Sequence, residues 1–239
     1  MQKTFKSRAE LKSEVKSIFT GHWGQAIKLN IVPVVLTVLG MFLVGSVILV
    51  GSLFIFNNPD SFNTSSSVAS GGGSGFGSSS GSTLGSFIIG LITVGVSFTS
   101  LDWLRTKDAN FSALKGAFSV FTKRYFLGVF LVEILSGIFT FLWTLLFIIP
   151  GIIKGYAYSQ ANFIFKDLTD ANPEADISYL DCITKSRKLM DGHKWRYFVL
   201  QLSFIGWDIL ASLTFGIGYI WLTPYKNATY AAFYKDLVD

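Results

Sequence analysis

Two acidic side chains stand alone inside long blocks that otherwise carry no charge: Glu133 in residues 126–149 and Asp208 in residues 197–222. A charge at membrane depth costs about 2.5–3.5 kcal/mol on insertion scales, so such a side chain usually faces a partner or a polar cavity. Both carboxylates are therefore candidates for binding a solute. The alternative is that they only help neighbouring helices to pack.

Two lysines, Lys154 and Lys226, lie near the start of the short, proline-preceded segments that follow these blocks. Each ammonium group could turn inward to a carboxylate, or its long stem could carry it to the membrane surface. Glu133 and Lys154 belong at different depths of a membrane. We therefore expect Asp208 to pair with Lys154 or Lys226, and we keep both lysines as candidate binding residues.

His22 and His193 occupy related Gly-His pairs, each closely followed by a tryptophan. Two histidines without a cysteine or carboxylate cluster do not form a typical metal site, so we predict that they lie at the headgroup boundary and contact lipid phosphate.

The single cysteine, Cys182, excludes an intrachain disulfide. The sequence contains no phosphate-binding loop, nucleophile elbow or zinc-protease motif. We therefore expect no enzyme activity, no cofactor and no metal.

The elements that must position these residues are apolar helices. Half of the 239 residues are hydrophobic and 15% are charged, against about 25% in a typical soluble domain. Residues 29–56 contain no charged residue and no histidine, and about 20 apolar residues suffice for an α-helix to cross the hydrocarbon core. The sequence thus predicts an all-α, polytopic transmembrane helix bundle that forms a single domain over residues 1–239.

Six membrane segments are predicted, and the positions of lysine and arginine orient them. With six spans and a cytoplasmic N-terminus, 18 basic residues lie inside and two, Lys154 and Lys226, lie outside. With four spans, 13 basic residues lie inside and seven lie outside, so the four-span arrangement obeys the positive-inside rule less well. We expect a bacterial plasma-membrane protein with both termini cytoplasmic, Trp23 at the inner boundary and Trp221 at the outer one. The predicted segments are 29–56, 83–104, 126–149, 151–166, 197–222 and 224–237.

Three related segments, at 17–23, 119–125 and 189–195, precede the outward helices and indicate an internal repeat. They share Ser-[Ile/Val]-Phe-Thr or Gly-His patterns before an aromatic residue. Each repeat would consist of an amphipathic helix at the inner interface, followed by a transmembrane hairpin. Plain connectors and chance matches are the alternatives.

Helix signals accompany these segments. Ser7 with Glu10 has the spacing of a capping box in the leader 1–28, and Asn172-Pro173 suits the start of a helix. Residues 57–82 hold ten serines, six glycines and no lysine or arginine, so we predict a flexible tether on the outer side. A binding loop is the alternative. The expected apolar faces are Leu11, Val15, Ile18 and Phe19, and Phe111, Leu114, Phe118 and Phe121.

Several longer motifs carry a family resemblance. They are Leu-Trp-Thr-Leu-Leu-Phe-Ile-Ile-Pro-Gly-Ile-Ile-Lys-Gly-Tyr-Ala-Tyr-Ser at 142–159, Ser-Arg-Lys-Leu-Met-Asp-Gly-His-Lys-Trp-Arg-Tyr-Phe at 186–198, and Leu-Ser-Phe-Ile-Gly-Trp-Asp-Ile-Leu at 202–210. They resemble signatures of the bacterial domain-of-unknown-function 975 family. The resemblance implies an uncharacterised integral membrane protein, distantly similar to the membrane domain attached to some glycerophosphodiester phosphodiesterases.

We expect a non-enzymatic membrane protein that binds or moves a small solute or a lipid, because short helices and intramembrane carboxylates often line transport sites. The first alternative is an accessory or scaffold protein whose basic amphipathic helices bind anionic lipid headgroups, or a protein partner, at the inner face. The second alternative is an intramembrane enzyme that acts on lipid, for which the sequence shows no nucleophile–base pair. No nucleic-acid partner is expected.

Overall fold

The computed structural model describes residues 5–57, 76–173, 177–214 and 216–238. The fold is all-α, with 84% of the chain helical and no strand in the described residues. A short 3₁₀ turn, Ser119–Phe121, lies between the fourth and fifth α-helices. In chain order the α-helices are α1 (Arg8–Phe19), α2 (Trp23–Asn57), α3 (Phe76–Thr106), α4 (Ala113–Ala117), α5 (Phe126–Leu146), α6 (Ile148–Tyr158), α7 (Ala161–Ala171), α8 (Tyr179–Leu189), α9 (Lys194–Leu213) and α10 (Tyr219–Val238).

Packing divides the chain into two compact units. One consists of Met1–Val32 together with Leu91–Asp239, and the other is Pro33–Gly90. The second unit holds most of α2 and the beginning of α3, and it exposes large apolar side chains such as Phe42 and Val50. All the candidate site residues belong to the first unit.

The charge-free block at 29–56 lies within the single continuous helix α2, as the sequence predicts. Of the tether predicted at 57–82, residues 58–75 lie outside the described residues. Residues 76–82 differ from the prediction because they already form the first turns of α3.

Two helical stretches in the described part are long and apolar enough to cross a membrane, Phe87–Thr106 and Phe126–Leu146. Half of the first stretch is buried within the protein, but only 11% of the second. The core helix of a soluble protein is mostly buried, so the exposure of the second stretch favours contact with lipid. By length and composition, the described chain thus offers two such helices where six segments were predicted.

Helix α1 begins with the predicted capping box. The Ser7 hydroxyl accepts a hydrogen bond from the Glu10 amide, and the Glu10 carboxylate accepts one from the Ser7 amide at 2.6 Å. Leu11 and Val15 on the predicted apolar face are almost completely buried, and α1 packs against α10. The apolar face of α1 is therefore covered by the C-terminal helix of the protein.

The second predicted amphipathic segment, unlike α1, keeps most of its apolar face exposed, which is the orientation expected of a helix at a membrane interface. It forms only the five-residue helix α4 and the 3₁₀ turn, and these bury Ala117 and Val120. Three of its four predicted apolar residues are exposed, Leu114 by 58%, Phe118 by 43% and Phe121 by 41%, whereas the Phe111 ring packs edge-on against Trp103 at 5.2 Å. These three side chains, unlike the apolar face of α1, are not covered by the described residues and can contact lipid or another apolar surface.

Helices α5, α6 and α7 form an antiparallel hairpin with two breaks: the one predicted at Pro150, which lies at Phe147, and a second that the sequence did not predict. Phe147 is extended, because Pro150 has no N–H for the Leu146 carbonyl and its ring would clash with that carbonyl in a continuous helix. A second break at Ser159 and Gln160 separates α6 from α7. The predicted segments 126–149 and 151–166 are thus three helices.

The start of α8 corrects another expectation. Asn172 ends α7, with its amide bonded to the Leu168 carbonyl, so the Asn172-Pro173 pair does not begin a helix. The N-cap of α8 is Ser178, whose side chain accepts a hydrogen bond from the Asp181 amide. A serine followed by an acidic first turn is the sequence signal for this cap.

Helices α9 and α10 form the last hairpin. Helix α9 ends at Leu213, and Gly216 takes the left-handed conformation (φ +87°) that glycine adopts without strain. Helix α10 begins at Tyr219, before the end predicted for the segment at 197–222. Pro224 lies inside α10 and not at the start of a separate segment.

Charged side chains gather where α1, α3, α7, α9 and α10 meet. Lys166 is 4% exposed and places its ammonium group 2.6 Å from both Asp102 and Asp170. Burial would raise the pKa of Asp170, but hydrogen bonds from Lys166 and Tyr125 lower it below its ordinary value. The pairs that make up this ionic cluster are Arg105–Asp167, Lys166–Asp102, Lys166–Asp170, Arg124–Asp170, Arg196–Asp236, Lys6–Glu14 and Lys235–Glu14.

Candidate functional site

Glu133 lies on α5 and faces α7. Its carboxylate accepts a hydrogen bond of 2.5 Å from the side-chain amide of Asn162. Both residues line a cavity of about 490 Å³ between α5, α6 and α7, which we call the Glu133 groove. The lining is Glu133, Ser136, Gly137, Thr140, Phe141, Thr144, Gly155, Tyr158, Ser159, Ala161 and Asn162.

The helical period explains why so many polar groups meet in this groove. Residues Glu133, Ser136, Thr140 and Thr144 stand at intervals of three or four along α5, so they share one face of that helix. The rest of α5 is strongly apolar. A polar stripe on a helix able to cross a membrane marks the side that does not face lipid.

Two buried oxygens in the groove have no hydrogen-bond partner within the described chain, Ser136 Oγ and Asn162 Oδ1. Leaving a buried polar atom unpaired costs about 1–3 kcal/mol, so a bound group that satisfied these atoms would be stabilised. The groove lining contains one negative charge, that of Glu133, and no basic side chain. Its chemistry therefore suits a hydrogen-bond donor that carries positive charge.

Asp208 and Lys226 form the ion pair that was one of the two predicted alternatives. The Lys226 ammonium group lies 2.9 Å and 2.8 Å from the two Asp208 carboxylate oxygens, across the α9–α10 hairpin. The side chains are 29% and 25% exposed, so the pair is only partly shielded. Each charge neutralises the other, which leaves little free charge for a ligand.

Lys154 does not approach Asp208. Its ammonium group lies 4.5 Å from the centre of the Trp143 ring, a cation–π contact. It also lines a cavity of about 290 Å³ between α6, the end of α8 and the start of α9, which we call the basic pocket. The lining is Ile153, Lys154, Ala157, Arg187, Lys188, Asp191 and Lys194.

Two of the cavities contradict the membrane positions that the sequence predicts for two pairs of residues. Lys154 was placed outside and Arg187 inside, yet both line the basic pocket. Trp23 and Trp221 were placed at opposite boundaries, yet both line an apolar cavity of about 350 Å³. Residues that share such small cavities cannot lie on opposite sides of a hydrocarbon core about 30 Å thick. Each pair therefore lies at a common level of the helices, not at the two opposite levels that were predicted.

The histidines do not meet in a common site. His22 is exposed in the turn between α1 and α2, whereas the His193 ring lies 4.4 Å from the Phe5 ring in an edge contact. Their preceding glycines, Gly21 and Gly192, share a left-handed conformation with φ of +83° and +75°. The Gly-His likeness therefore reflects two similar helix-to-helix turns.

Neither a metal-binding cluster nor a reactive thiol is found beside these sites in the described residues. Among the described residues, no group of three or more His, Cys, Asp or Glu side chains is placed to hold a metal. Cys182 is free and completely buried, and burial raises the pKa of its thiol to about 11. A buried thiol that stays protonated is a poor nucleophile.

Sequence reasoning missed most of the groove. It selected Glu133 alone, although Ser136 and Thr140 follow at helical spacing and could have been found from that period. Asn162 gave no such signal, because its approach to Glu133 depends on the antiparallel return of α7. The basic pocket was missed for the same reason, since Lys154 and Lys194 are 40 positions apart in the chain.

The fold and its groove define a class: all-α proteins that carry helices able to cross a membrane, with a polar stripe on one of them. Within this class, the chain belongs to the family described as "Protein of unknown function (DUF975)", which matches residues 1–154 and 145–239. The family resemblance inferred from the sequence motifs is thereby confirmed. No curated protein and no solved structure matches the chain.

Proposed function

We propose that this is a non-enzymatic, multi-pass membrane protein that binds or moves a small solute or a lipid headgroup bearing a positively charged, hydrogen-bond-donating group. The Glu133 groove is the binding site. The observation that carries the proposal is the combination of one carboxylate with the unpaired oxygens of Ser136 and Asn162, in a lining without basic residues. An ammonium or guanidinium group supplies the N–H donors and the charge that these acceptors lack.

The position of the groove supports a membrane role. Helix α5 is one of the two stretches able to cross a membrane, and its residues Phe141 and Leu145 beside the groove are 66% and 75% exposed. Apolar exposure next to a polar stripe suits a helix with lipid on one side and a solute path on the other. We place the protein in the plasma membrane on this basis.

The two ends of the described chain support cytoplasmic N- and C-termini on a common side. The Lys6 amide donates a hydrogen bond of 3.2 Å to the Asp236 carboxylate, and Arg196 pairs with the same carboxylate. An even number of crossings brings both termini to one face. Lys6, Arg196 and Lys235 lie at this face, and the positive-inside rule assigns basic residues to the cytoplasm.

A binding and flux experiment tests the proposal. Purified full-length protein in phosphatidylethanolamine–phosphatidylglycerol vesicles is titrated with ethanolamine, guanidinium, tetramethylammonium, glycerol and acetate, and uptake is followed with labelled solutes. We expect saturable binding of ethanolamine or guanidinium, weak binding of tetramethylammonium, which has no N–H, and none of glycerol or acetate. A ligand present at 100 times its Kd should stabilise the protein by about 2.7 kcal/mol.

Glu133→Gln is the decisive variant. Losing one charged hydrogen bond of about 1.5–3 kcal/mol weakens binding by about 10- to 150-fold. Asp108→Asn is the matched control, because Asp108 is exposed, lies outside the groove and keeps an acceptor for the Asn110 amide. If no amine or guanidinium binds saturably, or if both variants bind as the wild type does, the proposal is wrong.

A second candidate function is an accessory protein held at the anionic inner surface, and the exposed face of Leu114, Phe118 and Phe121 favours it. Lys115 and Lys123 in the same segment would face anionic headgroups while the rings enter the interface. Nitroxide labels at Phe118→Cys and Lys123→Cys, in a Cys182→Ser background, test this contact. The label at 118 should be accessible to oxygen and the label at 123 to a water-soluble nickel chelate; water accessibility at 118 would exclude membrane contact.

A further inference from the structure

The basic pocket is built from three elements that approach one another only in the folded chain. Lys154 comes from α6, Arg187 and Lys188 come from the last turn of α8, and Lys194 is the first residue of α9. Ala157, which is 1% exposed, lies against the base of the cavity. The tertiary fold therefore brings four cationic side chains from three helices to one pocket.

The charge of the pocket is strongly positive. Four cationic side chains face one carboxylate, Asp191, which leaves a net charge of +3. Asp191 lies 3.7 Å from the Lys194 ammonium group, and its side chain is 84% exposed, so solvent screens this contact. The negative end of the α8 dipole amounts to only about half a charge. The cations therefore exceed what the protein itself can neutralise.

The start of α9 adds to the same field. This helix has 20 residues and begins at Lys194, which lines the pocket, so the helix N-terminus lies beside the cationic side chains. The positive end of a helix dipole together with basic side chains is a common arrangement for binding phosphate. The pocket thus combines charge with directional donors.

An apolar surface adjoins the pocket. Ile153 lines it and is 46% exposed, and Ile149, one helical turn before it on the same face of α6, is 72% exposed. A small water-soluble anion bound in the pocket would leave these apolar side chains exposed. An acyl chain would cover them while its headgroup entered the pocket, as basic pockets between membrane helices hold anionic headgroups.

We propose that the basic pocket formed by Lys154, Arg187, Lys188 and Lys194 binds the phosphate group of an anionic phospholipid, whose acyl chains lie along the exposed isoleucines of α6. This site is separate from the Glu133 groove, which lines the other face of α6. It carries the opposite charge and binds the opposite class of ligand. The two sites can therefore be tested independently.

Lipid titration of the purified full-length protein in dodecylmaltoside micelles tests the site. Dioleoyl phosphatidylglycerol, dioleoyl phosphatidylcholine and inorganic phosphate are compared by thermal stabilisation and by quenching of tryptophan fluorescence, because Lys154 stacks on Trp143. Trp143→Phe identifies the signal of that ring. We expect phosphatidylglycerol to bind at least about tenfold more tightly than phosphatidylcholine or inorganic phosphate.

The variant Lys154→Gln/Arg187→Gln should weaken phosphatidylglycerol binding by at least about tenfold, since it removes two of the four cationic groups of the pocket. The matched control is Lys107→Gln/Lys185→Gln, which removes the same charge from exposed positions outside the pocket. Lys154→Arg, which keeps the charge, should keep the affinity. Circular dichroism verifies that each variant is folded, and Lys188→Gln replaces any variant that is not.

Equal losses in the pocket and control variants would show general charge attraction and overturn the site. Unchanged binding in both would overturn it as well. Inorganic phosphate that bound as tightly as phosphatidylglycerol would overturn the lipid as occupant. Glu133→Gln should leave phosphatidylglycerol binding unchanged, so the failure of one site is distinguishable from the failure of the other.

Discussion

Lys226 places its ammonium nitrogen within 2.9 Å of both carboxylate oxygens of Asp208, joining α9 to α10. The Tyr219 hydroxyl donates a hydrogen bond of 3.4 Å to the Asp208 carbonyl on the same hairpin. An ion pair at this position satisfies two charges that would each be costly alone in an apolar surrounding. We assign this pair a structural role, in contrast to Glu133.

Removing one partner of this pair should destabilise the hairpin more than removing both. We expect Asp208→Asn to lower the free energy of unfolding by about 1–3 kcal/mol, between the values for exposed and buried pairs. The double variant Asp208→Leu/Lys226→Met should recover most of the loss, because no unpaired charge remains. Thermal unfolding in micelles measures both, and a double variant that is no more stable than the single one contradicts this role.

The two glycines of the Gly151-Ile-Ile-Lys-Gly155 motif should respond differently to alanine. A Cβ on Gly151 would lie 2.7 Å from the Cα of Thr144, whereas a Cβ on Gly155 would meet only the Thr140 methyl at 3.7 Å. Gly151→Ala should therefore force α5 and α6 apart and cost about 1–3 kcal/mol. Gly155→Ala should be neutral or stabilise by up to about 1 kcal/mol, because alanine favours helix. Equal melting temperatures for the two variants would contradict the close contact.

Glu14 should make stability depend on pH at the acidic end. Burial alone would raise the pKa of Glu14, but hydrogen bonds from Lys6 and Lys235 lower it below its ordinary value of 4.5. Because the folded-state pKa is the lower one, the stabilisation is complete above 4.5 and is lost as the pH falls through the folded value. Glu14→Gln should be less stable than the wild type at neutral pH and should approach it in acid. A constant difference across this range would exclude the contribution.

Cys182 should react slowly with thiol reagents in the folded protein. Its side chain is completely buried, and its pKa of about 11 lies two units above the ordinary value of 9.0. Two units correspond to a roughly 100-fold smaller thiolate fraction. Labelling with N-ethylmaleimide, followed by mass spectrometry, should be at least about 100-fold slower than in denaturant. Labelling at equal rates would show that α8 is not packed as described.

Lys154 and Arg187 should be accessible from the same side of the membrane. Single cysteines at these positions, in a Cys182→Ser background, are labelled in intact cells and in inside-out vesicles with an impermeant maleimide. Both should react in the same preparation, because they line one pocket. Lys123→Cys, in the connection before α5, reports the inner side. Labelling of 154 and 187 from opposite sides would restore the six-span assignment of these residues.

How far the sequence predicts the fold depends on the range of each interaction. The capping box of Ser7 and Glu10 is confirmed because both partners lie within one helical turn. The charge-free helix at 29–56 is confirmed because apolar length is itself the signal. The apolar face of α1 is covered by α10 whereas Leu114 and Phe118 stay exposed, since only the arrival of other helices decides which apolar face is packed within the protein.

The amino-acid sequence by itself determined the helical class, the apolar blocks, the isolated carboxylates and, through its motifs, the family. These are local or compositional properties that need no knowledge of neighbours. Only the tertiary structure decided that Asn162 meets Glu133, that Lys226 and not Lys154 meets Asp208, and that Lys154 joins Arg187. Such contacts link residues 18 to 33 positions apart through the hairpins, and the direction of each return helix is set by packing.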